Sequence, residues 1–128
     1  MLDRVREAVF SSLGELVDDA AVLDLFSGSG SLGLEALSRG AARARFVEQG
    51  REALKALKEN VAALGLTERA EVLSCDALSE RARAASPGAD GPWADLVLLD
   101  PPYPMIEGEE RAAVLELVET LRSEVLRD

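Results

Sequence analysis

Four consecutive residues, Asp100-Pro101-Pro102-Tyr103, combine a carboxylate, a stiffened backbone and an aromatic ring. Prolines cannot continue a central strand, and they fix the backbone so that carbonyl groups point outward. A carboxylate and a fixed carbonyl together accept both hydrogens of an exocyclic amino group and orient its nitrogen for attack. Tyr103 offers a ring on which a planar base stacks. The stretch therefore predicts a site for a planar amine, whereas a plain rigid turn needs neither the acid nor the ring.

A second pattern of chemical interest lies early in the chain, where Gly28, Gly30 and Gly33 have G-x-G-x-x-G spacing. They follow the apolar stretch 22–26 and precede a helical pattern, so a strand turns through glycines into a helix. Such a turn leaves backbone N–H groups free for a ligand, although it also serves simply to reverse a chain. Asp24 lies inside the apolar stretch and needs a hydrogen-bond partner. We expect it to brace the glycine turn or to bond an amine of the ligand.

Two further acids follow predicted strands. Glu48 ends the second strand, where a carboxylate can accept both hydroxyl hydrogens of a ribose. Asp76 ends the third strand and can accept a hydrogen bond from an adenine amino group, with Cys75 and Ala77 beside the ring. The alternative for Glu48 is a solvated strand-end acid, and the alternative for Asp76 is the N-cap of the next helix.

The elements that must position these groups alternate along the chain. Hydrophobic periodicity predicts helices over 3–16, after Gly28–Gly33 up to Gly40, and over 51–64, 77–85 and 109–126, with strands over 22–26, 43–48, 70–75 and 94–99. The predicted inward faces are Val5, Val9, Leu13 and Leu16 in the first helix and Leu115, Val118, Leu121 and Val125 in the last. Residues 86–93 are predicted to form a loop.

This alternation predicts an α/β fold with a parallel sheet and right-handed crossovers. Ligands of such sheets bind beyond the carboxyl ends of the strands. The glycine turn, Glu48, Asp76 and the Asp100 stretch all lie at such ends, so we expect them to meet at one rim. The expected strand order is 3-2-1-4. The fourth strand is almost entirely apolar, and we expect its outer edge to be covered by a partner chain or a further segment.

The bulk composition fits one small domain over residues 1–128. The net charge of −10 argues against broad, non-specific adhesion to nucleic acid. A single cysteine excludes an internal disulfide and fits a cytoplasmic location, and no apolar run approaches the roughly 20 residues of a membrane span. With no histidine and one cysteine, we predict no metal site.

Taken together, the motifs resemble the class I S-adenosylmethionine-dependent methyltransferases, which have a Rossmann-like fold. The segments Asp3-Arg-Val-Arg-Glu-Ala-Val-Phe and Leu34-Glu-Ala-Leu-Ser-Arg-Gly-Ala resemble, more narrowly, the RsmD-type 16S ribosomal RNA guanine-N2 methyltransferases. The resemblance runs over nearly the whole chain. It implies S-adenosylmethionine as cofactor and ribosomal RNA, within the small ribosomal subunit, as partner.

The resemblance also implies roles for individual residues. The glycine turn would hold the methionine part of the cofactor, Glu48 the ribose, and the Asp76 region the adenine, while the Asp100 stretch would meet the target base. The predicted cofactor-binding residues are Asp24, Phe26, Ser27, Gly28, Gly30, Glu48, Gln49, Asp76, Ala77 and Asp100. The predicted catalytic residues are Asp100, Pro101, Pro102 and Tyr103.

The chain departs from the family pattern at both ends. The family usually has a basic β-rich segment before the first helix and three more strands after the last, so we expect this form to methylate RNA poorly. Other acceptors of the same geometry are the N6 amine of DNA adenine and the amide of a protein glutamine. A fragment that binds cofactor without turnover is a further alternative. A nicotinamide-binding domain is disfavoured, because it would leave the Asp100 stretch without a role.

Overall fold

Four parallel strands form a single sheet in the computed structural model, which describes residues 3–86 and 91–127 and, for Tyr103 and Pro104, the backbone alone. The strands are β1 (Ala21–Leu25), β2 (Arg43–Val47), β3 (Ala70–Leu73) and β4 (Leu96–Leu99). Their order is β3-β2-β1-β4, which confirms the predicted α/β class and strand order. The order reverses beside β1, so the crevice expected at a switch point lies at the carboxyl end of that strand.

Six α-helices connect and flank the strands in the described residues. They are α1 (Asp3–Leu13), α2 (Ser31–Ser38), α3 (Arg51–Ala63), α4 (Glu80–Arg83), α5 (Tyr103–Glu107) and α6 (Arg111–Thr120), with 3₁₀ turns at Gly14–Val17 and Thr67–Arg69 and a π-helical turn at Leu121–Val125. The predicted helix over 77–85 is reduced to one turn, and α5 was not predicted. The predicted loop over 86–93 falls partly on residues 87–90, outside the described part. No described helix is long and apolar enough to cross a membrane.

The sheet is covered on both faces, and β1 lies at its centre with every residue buried. Val22 faces the side of α1, α2 and α3, where Phe10 and Leu57 complete the core. Leu23 and Leu25 face the opposite side, which α6 and the turn after it cover. Burial on both faces explains why the strand is a nearly continuous apolar run rather than an alternating one.

The inward face of α1 differs from the predicted stripe. Phe10 is buried, whereas Val5, Val9 and Leu16 are 47%, 37% and 72% exposed. Leu13 packs partly against the core, so it alone of the predicted stripe contributes. The prediction was wrong because helical spacing defines possible faces without choosing between them, and the ring of Phe10 buries more apolar surface than the side chain of either valine would.

The last helix has a similar displacement. Leu121 and Val125 are buried as predicted, but Leu115 is 56% exposed, and Val114 and Leu117 occupy the buried face instead. The prediction assumed one continuous α-helix to residue 126. The buried residues Val114, Leu117, Leu121 and Val125 follow one another at 3, 4 and 4 residues, the ordinary α-helical spacing, and Leu115 lies about 100° around the helix from Val114.

The outer edge of the sheet beside the start of β4 is partly covered by the residues that follow α6. The N–H groups of Trp93 and Ala94 donate to the Val125 carbonyl at 2.9 and 3.0 Å, and Arg127 donates to the Ala94 carbonyl at 2.8 Å. A parallel bridge joins Ala94 to Leu126. The chain after α6 therefore begins to pair beside the entry to β4. Pairing of a second chain along Leu96–Leu99 stays a prediction.

A buried arginine ties the connection between β3 and β4 to the sheet. Arg45 of β2 is 5% exposed, and its guanidinium bonds Glu71 at 2.6 Å and the carbonyls of Ala82 and Ala84 at 3.1 and 2.6 Å. Its Cζ lies 4.6 Å from the ring centroid of Trp93. A charge can be buried here because carboxylate, carbonyls and ring all face it.

Candidate active site

A cavity of about 580 Å³ opens at the carboxyl ends of the strands, a size typical of small-molecule sites. Most of the predicted site residues line it, namely Phe26, Gly28, Glu48, Gln49, Ala77, Asp100, Pro101 and Pro102. The described lining is completed by Val47, Ala53, Cys75 and Met105. Asp24, Ser27, Gly30 and Asp76 are not among these lining residues. The strand-end motifs therefore meet at one space, as the topology predicted.

The three glycines of the turn have three different reasons to be glycine. Gly28 has φ 59°, and a Cβ there would meet nothing within 4 Å, so its backbone faces open space. Gly30 has φ 92°, and a Cβ would collide with the side chain of Leu57. A Cβ at Gly33 would collide with the Phe46 ring and approach Asp24 Oδ2 to 2.9 Å. Gly28 alone of the three lines the cavity, whereas Gly33 lets α2 approach the sheet and Gly30 lets the start of α2 approach α3.

Glu48 joins the loop that follows β1 to the loop that follows β2. Its Oε1 accepts the N–H of Gly28 at 2.8 Å, and its Oε2 accepts the N–H of Gly50 at 2.8 Å. Each carboxylate oxygen has a second lone pair, so both can still accept a hydroxyl hydrogen from a ligand in the cavity. Glu48, the predicted ribose acceptor, therefore also fixes the distance between the loops after β1 and β2.

Asp24 is 1% exposed, and its Oδ2 accepts the N–H of Gly33 at 3.1 Å. It thereby braces the first turn of α2, which is one of the two roles that the sequence left open. Burial raises the pKa of Asp24 to about 7, against hydrogen bonds that lower it, and the negative charges of Asp100 and Glu48 raise it further. This carboxyl group therefore changes charge near neutral pH, directly behind the glycine turn.

Asp76 makes a local turn. Its Oδ1 accepts the N–H of Leu78 at 2.9 Å, and its carbonyl accepts the Ser79 hydroxyl at 2.6 Å. This is an Asx turn and not the helix N-cap that was the alternative to adenine binding, because α4 begins at Glu80 and its N-cap position is Ser79. Its neighbours Cys75 and Ala77 do line the cavity. The turn at Asp76 positions those two side chains as the wall where a flat ring would lie.

Asp100 is exposed and follows β4 directly, with Pro101 and Pro102 beside it at the cavity. The Pro102 carbonyl accepts the N–H of Met105 at 2.9 Å, so α5 begins immediately after the prolines. The side chain of Tyr103, predicted to stack on the acceptor base, lies outside the described part of the structure.

Sequence reasoning missed some of the cavity wall. Met105 enters the lining because α5 follows the two prolines, and Pro104 at the second helical position was a usable signal for that helix. Ala53 lies in the first turn of α3, which begins beside the loop that Glu48 holds. Among the described residues, no group of three or more histidine, cysteine or acidic side chains could hold a metal ion.

Comparison with known proteins extends this picture. YlbH of Bacillus subtilis is 38% identical over 117 residues, which cover 91% of this chain and 60% of that protein. The Ribosomal RNA small subunit methyltransferase D of Escherichia coli K12 is 40% identical over 114 residues, covering 89% of this chain and 54% of that protein. The chain thus spans little more than half the length of these curated relatives.

The solved structure of yhhF from Escherichia coli superposes with a TM-score of 0.80 at 36% identity, over 100% of this chain and 65% of that one. The sheet order, the glycine turn and this similarity define a Rossmann-like methyltransferase domain of class I. The sequence model of the family described as Conserved hypothetical protein 95 matches residues 1–126. The chain belongs to that family, the RsmD-type methyltransferases.

Proposed function

We propose that the chain binds S-adenosylmethionine and transfers its methyl group to the exocyclic N2 amine of a guanine in small-subunit ribosomal RNA. The observation that carries the proposal is the shared cavity, which Gly28 and Glu48 enter from one side and Asp100 and Pro102 from the other. The Escherichia coli relative named for ribosomal RNA methylation supports the class of acceptor.

The lining suits the cofactor in three parts. The Glu48 carboxylate is placed to accept ribose hydroxyls, and Gly28 presents an open backbone for the methionine part. Val47, Cys75, Ala77 and Met105 supply apolar contact area for the adenine ring. When bound, the cofactor supplies a methyl group on a positively charged sulfonium, which the carboxylates near the cavity stabilise electrostatically.

The acceptor half of the site would orient the amine. The Asp100 carboxylate and a carbonyl fixed by the prolines would accept the two hydrogens of the base amine, so that its lone pair points at the methyl carbon. As the nitrogen–carbon bond forms, the sulfur–carbon bond breaks and its electron pair stays on sulfur. The amine then loses a proton to Asp100 or to water. A guanine in a helix must be unpaired or extruded to enter.

Calorimetry tests the cofactor half of the proposal. The chain should bind S-adenosylhomocysteine and should not bind NAD, because the lining offers no group placed for hydride chemistry. Binding of NAD without any response to S-adenosylhomocysteine would overturn the assignment of the cavity.

The acceptor is tested with small ribosomal subunits that lack methylation and with cofactor labelled on its methyl group, followed by mass spectrometry of the nucleosides. The readout is the identity of the labelled product rather than the rate of transfer. Labelled N2-methylguanine supports the proposal. N6-methyladenine in DNA or methylglutamine in protein, with no N2-methylguanine, would replace it, and cofactor binding without any transfer would leave a binding fragment.

A further inference from the structure

Ser27 makes all of its side-chain hydrogen bonds inside the protein, away from the cavity. Its hydroxyl donates to the carbonyl of Asp24 at 2.7 Å and accepts the N–H of Val47 at 3.0 Å, while its own N–H donates to the Val47 carbonyl at 3.0 Å. We call the two hydroxyl bonds the Ser27 bridge. In a regular parallel ladder the N–H of Val47 would bond a main-chain carbonyl of β1. Val47 belongs to the last strand pair of this ladder, Leu25 and Val47, and the Ser27 hydroxyl accepts its N–H there in addition.

The Ser27 bridge spans a strained residue. Phe26 has φ 59°, a left-handed backbone conformation that costs a non-glycine residue about 1–3 kcal/mol and persists only where its surroundings hold it. The hydroxyl of Ser27 bonds the chain before Phe26, at Asp24, and the neighbouring strand, at Val47. The bridge therefore holds the bend at Phe26 from both sides.

The residues that follow the bridge on each strand are the ones that face the cavity. Gly28 follows Ser27, and Glu48 follows Val47, and these two are joined by the 2.8 Å bond from the Gly28 N–H to Glu48 Oε1. Loss of the Ser27 hydroxyl would remove one hydrogen bond from the Asp24 carbonyl and one from the Val47 N–H, and with them the link that holds the bend. The direct consequence is a change in where Gly28 and Glu48 sit relative to each other.

We infer that Ser27 is a positioning residue: its hydroxyl sets the geometry of Gly28 and Glu48 and so contributes to the affinity for the ribose part of the cofactor without touching it. The inference about affinity rests on the proposed function. The inference about geometry does not.

The variant Ser27→Ala tests the affinity, and Ser38→Ala is its matched control, because the Ser38 hydroxyl donates to the carbonyl three residues earlier at 2.8 Å but is exposed. We expect Ser27→Ala to weaken S-adenosylhomocysteine binding about tenfold, since both bonds of the Ser27 bridge are lost, and Ser38→Ala to leave it unchanged. Ser27→Thr retains the hydroxyl and should restore most of the affinity.

A double-mutant cycle separates positioning from general destabilisation. If Ser27 acts through Glu48, Ser27→Ala should have little further effect on affinity in a Glu48→Ala background. An equal loss of affinity in both backgrounds would show that Ser27 does not act through Glu48 and would overturn the inference.

Amide hydrogen exchange tests the geometry without any ligand. In the wild-type chain the N–H of Gly28 should be protected, and in Ser27→Ala, but not in Ser38→Ala, it should exchange faster. A Gly28 amide that is unprotected in the wild type, which needs no variant to fold, would overturn the inference. Failure of S-adenosylhomocysteine to bind the wild type would instead refute the proposed function and leave the exchange test to decide the bridge.

Discussion

The two halves of the cavity are built differently. On the side of β1 and β2, hydrogen bonds from Glu48, Asp24 and Ser27 hold the glycine turn, and the Asn60 amide adds a bond to the Ser29 carbonyl at 3.1 Å. On the side of β4, Asp100 has no side-chain hydrogen bond among the described residues, and the backbone is shaped by two prolines and by the bond from the Met105 N–H to the Pro102 carbonyl. The half proposed to bind the cofactor (the cofactor half) is thus preorganised by its own side-chain contacts, whereas the half proposed to receive the base (the acceptor half) has fewer of them.

The largest effect on methyl transfer is expected from substitutions in the acceptor half alone. Asp100→Ala should lower methyl transfer on the order of a hundredfold or more, because the amine loses the group that orients it, while affinity for S-adenosylhomocysteine changes little. Tyr103→Ala should behave in the same way. The measurement pairs calorimetry with labelled transfer to ribosomal subunits. Near-normal transfer by both variants would remove this stretch from the acceptor site.

A change of pH should act on the cofactor half through Asp24. Its pKa is raised from the ordinary 3.8 to about 7 in the folded chain, so between these values the folded state holds a proton that the unfolded state has lost. The contribution of this group to stability is therefore present below pH 4, falls as the pH rises to about 7, and is flat above that.

Urea unfolding at pH 4.5 and 7.5 measures this loss against Asp24→Asn, whose neutral amide cannot titrate. The loss assigned to Asp24, a few kcal/mol at most, should disappear in the variant. Asp95→Asn is the control, because Asp95 also accepts a main-chain N–H of β1, at Ala21, but is a third exposed. Equal pH dependence in wild type and Asp24→Asn would mean that Asp24 is not the titrating group.

The tight packing behind the glycine turn can be broken at Gly33. Gly33→Ala should cost about 1–3 kcal/mol of unfolding free energy, because its Cβ meets the Phe46 ring and Asp24. Gly65→Ala isolates the cost of backbone conformation, since Gly65 has φ 68° with nothing within 4 Å of a Cβ. Cofactor affinity should fall with Gly33→Ala only. A Gly33 variant as stable and as tight-binding as the wild type would contradict a preorganised half.

Glu48→Ala is expected to have the smallest effect of these substitutions, and it compares cofactor affinity with methyl transfer. It should weaken S-adenosylhomocysteine binding by about 1–3 kcal/mol, since ribose hydroxyls and two backbone N–H groups lose a charged acceptor. Transfer at saturating cofactor should fall much less than in Asp100→Ala. A reversed pattern, with intact affinity and lost transfer, would place Glu48 in the acceptor half.

The fold and the rim were predictable from the sequence because their signals are short-range and redundant. An apolar strand followed by Gly28, and acids at three other strand ends, fix both the alternation and the meeting point. What a side chain does at the rim was less predictable. The hydrogen bonds of Ser27 were not predictable, because a partner such as the Val47 N–H is adjacent only after the sheet has formed. Asp76 instead bonds the N–H of Leu78 two residues later, a local turn typical of aspartate.

The buried faces of α1 and α6 were predicted wrongly for a related reason. The spacing of Val5 and Val9 in α1 fits an inward stripe as well as Phe10 does, and only the packing against α2 and the sheet decides between them. In α6 the apolar residues allow two neighbouring stripes, and packing selects the one that contains Leu117 and leaves Leu115 exposed. Local pattern specifies an element, and tertiary packing specifies its orientation.

The stacked pair of Arg45 and Trp93 provides an optical reporter. Trp93 is the only tryptophan, its indole N–H donates to the Arg83 carbonyl at 3.0 Å, and its main-chain N–H holds the chain after α6. It lies at the amino end of β4, whereas the cavity opens at the carboxyl end. Its emission should therefore follow the docking of the last crossover and stay constant when the cavity fills, which gives each titration an internal signal of folding that is independent of occupancy.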